Sequence, residues 1–116
     1  MKRLLVVSAV VEAGTGLGVL IAPSLLAQTL LGGPLEGPVV LTVARIGGAG
    51  LHALGIACWL SRNDGRPLVM AMLFYNVAAV AILAYAAVGL ALSSIGLWPV
   101  IGLHTAMAVW CAGTLK

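Results

Sequence analysis

Charge is what this sequence has least of. Its 116 residues include six Lys or Arg and three Asp or Glu, against 62% that are hydrophobic. A water-soluble domain carries charge on about a quarter of its residues. Nine charged side chains cannot cover a globule of this length, so a soluble catalytic domain is excluded. Cysteine is also scarce: Cys58 and Cys111 form no CxxC, and the two histidines are not a close pair. Dedicated metal motifs are therefore missing, as are a phosphate-binding loop and a nucleophile–base pairing. Both cysteines are expected to be packing thiols in a reducing environment.

What the chain has instead is long apolar stretches, and four are read as transmembrane helices: about 4–22, 39–60, 68–92 and 97–115. A hydrocarbon core of ~30 Å needs ~20 apolar residues per helix, and in lipid only helices or closed barrels satisfy the backbone. Runs rich in Ala and Leu without alternation are helices. Proline marks the edges, Pro23 after the first run and Pro38 and Pro67 where helices begin, a position that tolerates the missing N–H. The opening "MKRLLVVSAVVEA" imitates a signal peptide, but the apolar run continues through "GLGVLIA", which predicts a retained first span. The segment "PSLLAQTLL" is too short to cross and is expected to lie as an interfacial helix between spans one and two.

These features predict one all-α domain, residues 1–116, an integral membrane four-helix bundle of up-down-up-down topology. Lys2, Arg3, Arg62, Arg66 and Lys116 fall on one side of that topology, opposite Glu36. The positive-inside rule then places both termini in the cytoplasm, with Trp59 and Trp110 at the inner interface and Trp98 at the outer one. Topology accounts for the basic excess, and no nucleic acid partner is implied. Gly14 and Gly18 form a GxxxG, which predicts close approach of helix one to helix two or to a second copy.

The functional clue is a polar layer. At 1.5 Å per residue, Glu12, His52 and Asn76 lie ~12 Å from the cytoplasmic ends of their helices and His104 ~16 Å. Ionisable groups at such depth cost ~2.5–3.5 kcal/mol on insertion scales and usually face the bundle interior. Tyr75 adjoins Asn76, and Arg45 stands higher, ~22 Å from the inner end. Arg45 has two alternatives, snorkelling to the outer headgroups or pairing with Glu12. The candidate cluster is thus Glu12, Arg45, His52, Tyr75, Asn76 and His104.

The histidines occupy matching contexts, "GLHALGIACW" and "GLHTAMAVWC", on helices expected to run in the same direction. Facing each other, His52 and His104 suit a b-type haem or, with Glu12, a metal ion; His104, Met107 and Cys111, with Cys58 or Met72, suit Cu(I). The cofactor is left open between these and none. A membrane-buried Glu12 in a short four-span chain also suits a proton-coupled small transporter. The main expectation is a non-enzymatic accessory or small-ligand-binding membrane protein, its partners the lipid bilayer and either a larger membrane complex or a second copy.

"VEAGTGLGVLIAPSLLAQTLLG", "ARIGGAG", "ALGIACW" and "LWPVIGLH" resemble small bacterial four-span inner-membrane proteins, loosely similar to DoxX-like proteins. The resemblance covers most of the chain, at Glu12, Pro23, Arg45, Trp59, Pro99 and His104. It implies the four-span fold and the bacterial inner membrane, but no activity. Its pattern has an apolar residue where this chain has His52, so a bis-histidine haem is not implied for the group.

Overall fold

The computed structural model describes residues 1–116 as five helices without strands: α1 Lys2–Ile21, α2 Pro23–Leu31, α3 Pro38–Leu60, α4 Arg66–Val88 and α5 Leu97–Leu115. Proline occupies the first turn of α2, α3 and α4, where its ring pre-sets the helical φ and no N–H is missed. Gly32 ends α2 in the left-handed region, φ 85°, a conformation that costs glycine nothing. Three helices, α1, α3 and α4, are long and apolar enough to cross a membrane. The fourth expected span, α5, has 19 residues but mixes Trp98, Pro99, His104, Thr105, Trp110 and Thr114 into its apolar sequence.

The helices associate as two pairs, α1 with α3 and α4 with α5, and contacts between the pairs are sparse. Glycine brings the first pair together, though not the glycines that the GxxxG suggests. A Cβ added at Gly48 would lie 2.7 Å from the Leu20 nitrogen, and one at Gly16 only 2.6 Å from the Gly48 carbonyl oxygen. One at Gly55 would meet the Ala13 Cβ at 2.7 Å. Gly14 has open space around it, and Gly18 faces the Leu26 side chain of α2. The order of these meetings, 13 with 55, 16 with 48 and 20 with 48, shows that α1 and α3 run antiparallel.

The third expected span is shorter than the apolar run. The apolar run extends to residue 92, whereas α4 stops at Val88. Gly89 and Leu90 both donate to the carbonyl of Tyr85, and Leu92 donates to that of Ala86. Ala91 sits between them with φ 53°. This closing turn satisfies carbonyls that the helix end would otherwise leave open; apolar side chains alone do not reveal it.

Near the chain termini the pairs share a core of Leu4, Leu5, Ala9, Cys58, Val69, Met72, Met107 and Cys111. Both cysteines are buried free thiols. Elsewhere large apolar side chains face outward, among them Val10, Phe74, Val88 and Val109, with Phe74 78% exposed. Apolar surface of that extent marks a membrane or protein contact, and three helices long and apolar enough to cross a bilayer fit the former.

Candidate functional site

Between the two helix pairs lies a cavity of about 670 Å³, within the ~300–1,000 Å³ range of ligand pockets. All five helices contribute to its wall. Val11, Glu12, Thr15 and Val19 come from α1, Leu26 and Leu30 from α2, and Leu51 from α3. Tyr75, Ala78, Ala79, Ile82 and Leu83 come from α4, and Pro99, Val100, Leu103 and His104 from α5, with Gly96 just before it. Polar and apolar groups are segregated along it. Glu12, Tyr75 and His104 lie together at one end, while Val19, Leu83, Leu26 and Leu30 line the other.

The segregation follows from helix geometry. Positions 8, 12 and 16 recur on the buried side of α1, and 97, 101, 104, 107 and 111 on that of α5, the i, i+3, i+4 spacing of one helix face. Each polar group is therefore carried inward by an apolar stripe, and Glu12 ends 2% exposed. Tyr75 and Glu12 both line this end of the cavity. The Tyr75 and His104 rings meet edge to face, with centroids 5.6 Å apart at 81°.

His104 is held from behind. Asn76, 1% exposed, donates from Nδ2 to the Met72 carbonyl at 2.7 Å. Its other side-chain atom, Oδ1, lies 2.8 Å from Nδ1 of His104. A carbonyl oxygen only accepts, so Nδ1 carries a proton, and in the neutral imidazole Nε2 is then the acceptor. Asn76 thus orients the ring without lining the cavity.

Of the six candidates, the structure brings Glu12, Tyr75, Asn76 and His104 together. Arg45 and His52 stand apart. Arg45 is exposed and donates from Nε to the Leu20 carbonyl at 3.4 Å, near the far end of α1, and not to Glu12. His52 donates from Nδ1 to the Ala13 carbonyl at 2.9 Å, tying α3 to α1, and is not part of the cavity wall. No three His, Cys, Asp or Glu side chains converge as metal ligands. Equal depth thus does not bring the two imidazoles to a common site, because depth leaves the direction of a side chain around its helix undefined.

The sequence reading misses α2 as part of the wall. Its leucines show only as a hydrophobic face, which suits a membrane interface and a cavity equally. Thr29 accepts a hydrogen bond at 3.1 Å from Gly96, and a Cβ at Gly96 would lie 2.7 Å from that same oxygen. This contact joins α2 to the start of α5 at the apolar end.

Nothing matches. No protein-family model, curated protein or solved structure is similar to this chain. Its function must be argued from the site itself.

Proposed function

We propose that this chain is a four-span membrane protein that binds a small amphiphile in the cavity between its helix pairs and is not an enzyme. The observation that carries the reading is the cavity: lined mostly by apolar side chains, it converges on Glu12, Tyr75 and His104 at one end. A few fixed polar groups in a largely apolar pocket are the general form of a small-molecule site. Ionisable groups inside a membrane commonly mark function.

In this reading α5 is the fourth span. The long dimension of 41 Å suits a bilayer of ~40–45 Å with its headgroups. Arg66 donates to the Leu115 carbonyl, and Gly65 to the sulfur of Met1. Lys2, Arg3, Arg62, Arg66 and Lys116 consequently gather at one end, which supports cytoplasmic termini under the positive-inside rule. We assign the protein to a bacterial inner membrane and to the small four-span proteins that its "VEAGTG", "ARIGG" and "LWPVIGLH" segments resemble; the segments and the charge placement are the support.

The test is photolabelling of the full-length protein in phosphatidylcholine nanodiscs with an alkyl diazirine. Labels on Ala79, Leu83 and Val100 would support an occupied cavity. An Ala79→Trp variant, which places a large side chain in the space, should reduce the labels on Leu83 and Val100 while leaving those on the outward-facing Phe74 and Val109. Labels confined to Phe74, Val109 and similar positions would overturn the reading.

A further inference from the structure

We propose that the ligand is a neutral long-chain alcohol, whose hydroxyl donates to Nε2 of His104 while its tail runs toward α2. The proposal rests on the ligand-binding reading above and names the chemistry that the site selects.

The polar end shows which hydrogen bonds remain to be made. Asn76 uses one amide group on the Met72 carbonyl and the other on Nδ1 of His104. Nε2 has no partner within the chain, and His104 lines the cavity. A ligand completing this end must therefore bring a donor to Nε2. The phenol of Tyr75 and the carboxyl of Glu12 stand beside it, so a hydroxyl, donor and acceptor in one atom, can be satisfied on both counts.

Charge narrows the class. No Lys or Arg lines the cavity, and Glu12 stands where the head would sit. A carboxylate or phosphate head would find no cation and one carboxyl group, so anionic lipids are disfavoured. An ammonium would find Glu12, but it must shed its hydration to enter a mostly apolar space, and it has no acceptor to offer Tyr75. Depth argues the same way. Glu12, Tyr75 and His104 lie at the mid-membrane end, whereas Leu26, Leu30 and Gly96 lie toward the other loops. A bilayer phospholipid keeps its head at the surface and does not reach this end head-first. A long-chain alcohol has one weakly hydrated polar group that can enter hydrocarbon.

The experiment uses the full-length protein in phosphatidylcholine nanodiscs with three diazirine probes sharing one tail: an alcohol, a fatty acid and an alkylamine. The alcohol should label Leu83, Val100 and Leu103 at about ten-fold lower concentration than the other two, the ratio that one additional satisfied hydrogen bond supplies. His104→Asn keeps a donor facing Asn76 Oδ1 and removes the Nε2 acceptor; it should abolish the preference. Equal labelling by all three probes, or preference for the acid or amine, overturns this inference and leaves the cavity reading standing. Absence of every probe from the cavity overturns both. Nitrogen-15 NMR of the wild-type imidazole gives a measurement independent of variant folding. Its Nε2 resonance should lie in the unprotonated range and move when the alcohol is added, and a resonance that does not move overturns the inference.

Discussion

His104 owes its orientation to one neighbour, Asn76, and the two form a unit whose energetics can be measured. Replacing Asn76 with Leu leaves the Nδ1 proton of a buried imidazole unpaired, and His104→Phe leaves Asn76 Oδ1 unpaired. Each change should cost about 1–3 kcal/mol of stability, because removing one partner strands the other. The double variant Asn76→Leu/His104→Phe strands neither and should cost clearly less than the sum. Thermal unfolding of the four proteins in detergent closes the cycle; additive losses would show that the 2.8 Å contact contributes nothing to folding. Asn76 and His104 were both legible as buried polar residues, since an amide and an imidazole deep in apolar runs stand out. That Asn76 holds His104 from behind while its neighbour Tyr75 lines the cavity was not legible, because a 100° step between adjacent residues gives direction only once the helix has a partner.

At the level of the helix, glycines that look alike in sequence have different roles. Gly48 and Gly16 lie in the α1–α3 contact, whereas Gly14, Gly47 and Gly50 have nothing within 4 Å of an added Cβ. Gly48→Ala should therefore destabilise the fold by about 1–3 kcal/mol or more through forced separation of the helices. Gly47→Ala should be tolerated, with a helix-propensity gain of up to about 1 kcal/mol. Melting temperatures by fluorescence-detected size exclusion decide it, and equal behaviour of the two variants would refute the assignment. A second element-scale prediction concerns the end of α4. Ala91 has φ 53°, a region costing an L-residue about 1–2 kcal/mol. Ala91→Gly removes that strain, offset in part by the entropy glycine loses on folding, and should raise the melting temperature slightly. A fall would mean that the turn is not strained at this position.

For the whole molecule, the sparse contact between pairs is what leaves room for the cavity. The α1–α3 pair is tied by glycine contacts and by His52 on the Ala13 carbonyl. The α4–α5 pair is joined by Asn76, His104 and Arg66. Between them the core is continuous only near the termini, and α2 bridges the opposite end. The orientation proposed for this arrangement is open to direct measurement. In intact cells, Glu36→Cys should react with a membrane-impermeant maleimide and Asn63→Cys should not, reactivity at Asn63→Cys appearing only after permeabilisation. The reverse pattern would invert the protein, and reactivity of both in intact cells would refute the span count. Each variant needs a Cys58→Ser/Cys111→Ser background so that only the introduced thiol reports.

From sequence alone came the helical class, three apolar helices long enough to span, the short helix at Pro23–Leu31 and the burial of Glu12, Asn76 and His104, because each depends on composition over a run or on proline and glycine punctuation. The partnering of those helices was decided only in three dimensions. Which glycine meets which backbone, whether His52 turns toward α1 or the cavity, and where Arg45 finds an acceptor all depend on rotation about a helix axis. An almost uniformly apolar helix has little polarity contrast to set that rotation, so contact between the helices sets it instead.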